Sequence, residues 1–242
     1  MSNKVIVCTC VNTYDAYKNY WKTVDFDFEF LSDRVPIGIE YDEQKVRDVF
    51  NFKGDVSKKH YWNSQGNRNI IWFYAHFRMA YYYMLNPNED WYWFMDDDVI
   101  CDNWSEFFAS FENNTSDFIS YYIFKNQGIN SQPNIPHIDN NTHSGISWFN
   151  RFPGDKDAID INSELFGSFF PIVRFSNKSL KHLVDLLIND VHGYSEGFVP
   201  TILNKDGFTL DTIFNNNSES NHFDINKINI LHKNIKVDWS WI

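Results

Sequence analysis

The stretch Asp90-Trp91-Tyr92-Trp93-Phe94-Met95-Asp96-Asp97-Asp98-Val99-Ile100 decides how this chain is read. The unbroken aromatic and apolar run from Trp91 to Met95 predicts a strand buried on both faces, the pattern of a parallel sheet covered by helices. In an open α/β sheet such a strand delivers its carboxyl end to the ligand crevice. Here that end carries Asp96, Asp97 and Asp98, whose like charges repel unless a cation sits among them. Hard divalent ions such as Mg2+ and Mn2+ take carboxylates together with phosphate oxygens, so the triplet predicts a metal-bridged phosphate ligand.

Upstream of that strand, residues 4–11 read as a buried strand, and Asn12 with Thr13 turns the chain into a helix ending at Tyr20 and Trp21. This is the opening βα unit of a nucleotide-binding fold. Phe26, Phe28 and Phe30 alternate with Asp27 and Glu29, giving a half-buried strand that ends near Arg34, and residues 36–39 add a short one. Residues 42–67 read as polar and irregular, while apolar residues recur at helical spacing over 69–84.

Downstream, Asn103 and Glu106 resemble a capping box opening a helix to Phe111. Residues 118–124 predict a strand, and residues 125–160 a long loop assigned to the acceptor side. Residues 165–175 return as one strand in which Pro171 marks an edge or a bulge, and Ser176 caps a helix through Asp190. Gly193 to Glu196 enter a short helix whose Pro200 is tolerated only near the first turn. A last strand over 228–231 precedes a tail holding His232 and Lys236. The expectation is an α/β fold forming a single domain over residues 1–242, with a central, mostly parallel mixed sheet flanked by helices.

The formal net charge of −11 argues against nucleic acid as a partner, because that binding rests on Lys and Arg neutralising phosphates. It also sharpens the need for a metal, since an acidic crevice repels a diphosphate until a cation reverses the sign. The sequence has neither a Gly-x-Gly-x-x-Gly nor a Gly-Lys-Ser/Thr loop, so neither a dinucleotide enzyme nor a P-loop NTPase is supported. No apolar run reaches the length of a transmembrane segment. Cys8, Cys10 and Cys101 fit a reducing compartment, and the absence of a secretory pattern points to the cytoplasm, with peripheral membrane contact if the acceptor is lipid-linked. Aromatic residues are 19% of the chain, and most belong to the core. Trp148 and Phe149, inside the long loop, are candidates to stack on a sugar face of the acceptor.

The segment from Asp90 to Val99 resembles the DxD region of GT-A-fold glycosyltransferases, which transfer sugars from nucleotide diphosphate donors. The segment His192-Gly193-Tyr194-Ser195-Glu196-Gly197-Phe198-Val199-Pro200-Thr201 and the terminal Leu231-His232-Lys233 match the same resemblance. It implies a GT-A (Rossmann-like) domain in which residues 1–100 bind the nucleotide sugar and residues 101–242 bind the acceptor and supply a C-terminal metal-binding segment, with a UDP-sugar as the favoured donor, Mn2+ or Mg2+ as cofactor, and a glycan or glycolipid hydroxyl as acceptor. Residue by residue, it implies metal contacts from Asp98, Asp96 and His232, with His222 as fallback for the histidine. Donor contacts would come from Asp96, Asp97 and Lys236. The donor's base and ribose would lie near Thr9, Asn12, Asp33 and Arg34, although Arg34 could instead pair with Asp33 or Glu40. Tyr194 would face the acceptor.

Glu196 stands in the first turn of a helix, where the positive end of the dipole favours a carboxylate. In inverting members of the family a carboxylate so placed removes the acceptor proton, so the resemblance makes Glu196 the base and inversion the expected outcome, with retention the alternative because one sequence does not show which face the acceptor uses. Two other readings compete. A sugar-1-phosphate nucleotidyltransferase would use acidic metal sites on a similar sheet, but residues 8–12 lack the glycine-rich basic loop it needs. A Ca2+-dependent glycan-binding module would need more oxygen ligands than one triplet supplies.

Overall fold

The computed structural model describes residues 2–11, 13–50, 75–121, 123–126, 164–189, 191, 193, 195–213 and 230–232. In chain order the first elements are β1 (Asn3–Cys10), α1 (Tyr14–Trp21), β2 (Glu29–Asp33), β3 (Ile39–Tyr41) and α2 (Glu43–Val49). Then come α3 (Ala75–Leu85), β4 (Trp91–Asp96), β5 (Val99–Cys101), α4 (Trp104–Ser110), β6 (Phe118–Ser120) and β7 (Ile123–Asn126). The rest are β8 (Leu165–Ser168), β9 (Ile172–Ser176), α5 (Asn177–Ile188), α6 (Ser195–Lys205), β10 (Leu210–Thr212) and β11 (Ile230–His232).

Among these residues the expected α/β architecture is present as a seven-stranded mixed sheet in the order β10-β6-β9-β4-β1-β2-β3. Strands β3, β2, β1 and β4 are mutually parallel. On the other side of β4, β9 runs antiparallel to both β4 and β6, and β10 pairs in parallel with β6. Two small antiparallel pairs stand beside the sheet, β5 with β11 and β7 with β8.

The two-residue period of a strand explains the two cores. Ile6, Cys8, Tyr92 and Phe94 face α3, α5 and α6, whereas Val5, Val7, Trp93 and Met95 face Trp21 of α1 and Trp104 and Phe107 of α4. Both faces of β1 and β4 are therefore covered, and their carboxyl ends are where side chains can reach a ligand.

Several expectations change. Residues 42–67 do not begin irregularly, because the Asp42 side chain accepts from Lys45 N at 2.7 Å and caps α2. Residues 118–124 split into β6 and β7, which belong to different sheets. Residues 165–175 split at Pro171, which has no N–H with which to continue a ladder. The following β9 is an interior strand, so the edge reading of Pro171 fails, and its carbonyl instead accepts Asp96 N at 2.8 Å. Strand β2 starts only at Glu29, and Phe26 packs on Phe28, Trp104 and Phe108. The capping of α4 by Asn103 and of α5 by Ser176 is as expected. At the β2–β3 turn Gly38 has φ +63, and a Cβ there would lie 2.2 Å from the Phe30 carbonyl oxygen, so only glycine closes it.

Candidate functional site

Strand β4 ends at Asp96, and the chain turns through Asp97 and Asp98 into β5. The turn is held from below by the last residues of α1. Trp21 Nε1 donates to the Asp97 carbonyl at 2.7 Å. The Tyr20 hydroxyl donates to the Cys101 carbonyl at 3.0 Å and accepts from Cys101 N at 2.9 Å and Trp104 Nε1 at 2.7 Å. The acidic turn is therefore a fixed object, and its three carboxylates take different tasks.

Asp97 points inward. Its carboxylate accepts from Thr13 Oγ1 at 2.6 Å and from Thr9 Oγ1, so two of the anticipated donor residues, Thr9 and Asp97, hold each other and pin the start of α1. Burial raises the Asp97 carboxyl to about 6, with the Thr13 and Thr9 hydroxyls pulling it back down. Asp96 is 28% exposed and its Oδ1 accepts from Arg78 Nη2 at 2.7 Å. Asp98 is mostly buried at the mouth of the turn. Tyr17 lies close enough that its phenol is raised, first by partial burial and then by Asp98 and Asp97. Nothing in the spacing of residue 17 announced that neighbour.

Strand β11 returns antiparallel along β5 with His232 opposite Val99, Leu231 opposite Ile100 and Ile230 opposite Cys101. Directly opposed residues in such a ladder have Cα atoms about 4.5–5.5 Å apart, so the backbone brings His232 beside the residue that follows Asp98. The His232 side chain is outside the described set. Among the described residues no group of three or more His, Cys, Asp or Glu side chains is gathered to hold a metal ion. Asp96 and Asp98 nonetheless belong to one turn, and the β11 register brings the backbone of His232 to its far end; carboxylate and imidazole are donor types that Mn2+ accepts.

The sequence alone does not decide whether Arg78 reaches a phosphate, and the structure buries it on α3 beneath this edge. Burial opposes its charge, and the groups around it that could favour that charge are Cys8, Tyr41 and Asp96. Of these only Asp96 is ionised at neutral pH, because burial pushes the Cys8 thiol up to about 12 and the Tyr41 phenol higher still. The Tyr41 hydroxyl and Arg78 Nε are buried without a hydrogen-bond partner. The signal that could have found Arg78 was a lone arginine on the otherwise apolar helix His76-Phe77-Arg78-Met79-Ala80, where a buried cation demands a counter-charge.

At the end of β2, Asp33 is buried and Arg34 folds back on it, Nε to Oδ1 and Nη2 to Oδ2 at 3.1 Å each. That is the ion pair weighed above against a donor contact. Arg34 takes φ +59, a left-handed conformation that non-glycine residues adopt at a strain of about 1–3 kcal/mol.

Glu196 lies in the first turn of α6 and is half-buried. Contrary to the short-helix expectation, Pro200 stands inside the 11-residue α6, in its second turn. A proline there cannot donate to the carbonyl four residues earlier, which is that of Glu196. Ser168 Oγ of β8 donates to that carbonyl instead, at 3.1 Å. Thr201 fastens the same two elements by accepting from Phe166 N at 2.8 Å and donating to Phe166 O at 3.1 Å. Ser195 Oγ hydrogen-bonds His76 Nδ1 of α3 at 2.8 Å. Helix α3 thus touches both carboxylate-bearing segments, with His76 on the α6 side and Arg78 on the β4 side. The remaining candidates, Asn12, Trp148, Phe149, Tyr194, His222 and Lys236, lie outside the described residues.

No protein-family model matches this sequence, and no curated protein matches it. Among the described residues no helix is long and apolar enough to cross a membrane.

Proposed function

We propose that this chain is a metal-dependent glycosyltransferase with a GT-A fold that uses a nucleotide diphosphate sugar, with a UDP-sugar favoured, and transfers the sugar to a glycan or glycolipid hydroxyl with inversion. The observation that carries the reading is the register of β11 on β5, which brings His232 alongside the turn that bears Asp96 and Asp98. The acids and the histidine are far apart in sequence, and carboxylate with imidazole is a donor set that suits Mn2+. The four parallel strands whose carboxyl ends meet at this edge support a nucleotide there.

A Mn2+ or Mg2+ ion held by Asp96, Asp98 and His232 would supply positive charge against the departing diphosphate. The chain's own part is orientation and proton transfer. Asp33, buried at the end of β2, and the Arg34 paired with it border the nucleotide side. Glu196 takes the acceptor's hydroxyl proton as that oxygen attacks the anomeric carbon and the bond from that carbon to the diphosphate oxygen breaks. The negative charge leaves with the diphosphate, the proton stays on Glu196, and the anomeric centre is inverted. Such a base contributes about 10²–10⁴ in rate, so Glu196→Gln should lower turnover by about that factor with donor affinity preserved.

The test is a thermal-shift panel of nucleotide sugars with and without Mn2+, followed by NMR of the product's anomeric configuration. A ligand at about 100 times its dissociation constant adds roughly 2.7 kcal/mol, an unmistakable shift. Stabilisation by a nucleotide diphosphate sugar only when Mn2+ is present is the expected result. Absence of any such ligand, or equal stabilisation without the cation, overturns the reading.

A further inference from the structure

We propose that His76 is the positioning residue for Glu196, holding the first turn of α6 through Ser195 while Arg78, on the same helix, holds Asp96. This rests on the functional reading above, in which Glu196 is the base. Three observations carry it.

First, His76 and Ser195 are both fully buried, and their 2.8 Å contact joins α3 to the residue immediately before Glu196. The His76 backbone N–H also lies 3.4 Å from the same Ser195 Oγ. A buried polar pair of this kind fixes orientation because neither group has water as an alternative partner. Second, the His76 ring packs on Phe77 and on Phe198 of α6, with centroids 5.0 and 5.6 Å away, a further contact between α3 and α6. Third, Pro200 strips the Glu196 carbonyl of its helical donor, and Ser168 Oγ replaces it. The turn that carries Glu196 is therefore not held by its own helix ladder alone. It is suspended from α3 on one side and from β8 on the other.

His76 and Arg78 are two residues apart on one helix, so a single rigid element sets the spacing between the base and the acidic edge. Misplacement of a reacting group by about 1 Å can lower a rate by about 10²-fold, so a tether of this kind carries part of the rate without touching substrate.

The experiment compares His76→Phe, His76→Asn, Glu196→Gln and the double variant His76→Phe/Glu196→Gln. In each, donor turnover with saturating Mn2+ and UDP-sugar is measured beside Mn2+ affinity by calorimetry. Phenylalanine keeps the ring packing and removes Nδ1, whereas asparagine restores a polar atom near that position. His76→Phe should lower kcat about tenfold with KM for donor and Mn2+ affinity unchanged. His76→Asn should recover most of it, and His76→Phe should have no further effect once Glu196 is glutamine. Additive losses in the double variant, an unchanged kcat in His76→Phe, or a fall in Mn2+ affinity would overturn the positioning role, because each says His76 does not act through Glu196. Full turnover in Glu196→Gln, or a wild-type protein that turns over no nucleotide sugar, would instead sink the functional reading itself and the inference with it.

Discussion

Two arginines are buried among the described residues, and they live in different electrostatic worlds. Arg174, on β9, spends its guanidinium on neutral oxygens. It donates to the carbonyls of Phe111 at 3.2 Å, Asn114 at 2.8 Å and Ser116 at 3.1 Å. It also lies 4.2 Å from the Trp91 ring centroid and 5.6 Å from that of Trp93. Burial lowers it to about 10, with Asp211 and Asp117 only partly resisting. Arg78, by contrast, faces the partly exposed Asp96 at the carboxyl end of β4 and pairs with a formal charge. One cation braces a loop against the sheet. The other compensates an acidic edge that two further carboxylates share. The lesson is that burial alone does not mark a site: what marks it is a buried charge whose partner is still open to solvent.

The contrast can be broken in four places, from the largest expected effect to the smallest. Asp98→Asn removes the charge most directly at the acidic mouth and should lower metal-dependent turnover about 10²–10³-fold while leaving the melting temperature nearly unchanged. A variant with normal Mn2+-dependent turnover would move the site elsewhere. On the other side, Arg174→Met strands carbonyls that cost about 1–3 kcal/mol each when buried unsatisfied. Urea unfolding should register a loss of about 2–4 kcal/mol, with turnover per folded molecule intact; a selective loss of activity would erase the distinction between the two arginines.

The third place is Asp97, whose folded carboxyl sits at about 6 and whose unfolded reference is about 3.9. The folded state then holds its proton more tightly, a contribution fully present below about pH 4 and lost as pH rises through 6. With chelator present, Asp97→Asn should therefore exceed the wild type by about 1–3 kcal/mol at pH 8 and match it near pH 4. Equal stability at both pH values would show that the Thr9 and Thr13 hydroxyls fully offset burial. Last, Arg78→Lys keeps the charge but loses the planar fork, so about a tenfold fall in turnover is expected, with stability changed less than in Arg174→Met.

The acidic edge was legible in the sequence because it is a local pattern: a fully apolar run can only be an interior strand, and three carboxylates behind it have one place to go. The caps at Asn103 and Ser176 were legible for the same reason. Asp42 carried an equally good capping signal but stood among polar residues that concealed α2. The direction of β9 was not legible, since a strand buried on both faces has the same pattern whichever way it runs. Neither was the break at Pro171 into two sheets, nor the role of Pro200, because the consequence of a missing N–H depends on what lies next to the released carbonyl. Asp97 and Thr9 looked like ligand contacts and instead hold each other, a pairing of residues 88 apart that no window of sequence contains. What Arg78 does was not legible, because its partner Asp96 reaches it only after the sheet has formed.

The central claim is tested most directly by anomalous diffraction from a crystal soaked with Mn2+ and UDP. The expected result is one strong manganese peak bounded by Asp96, Asp98 and His232, with the diphosphate of UDP bound to it. A peak at any other place, or a diphosphate seated away from that turn, would contradict it.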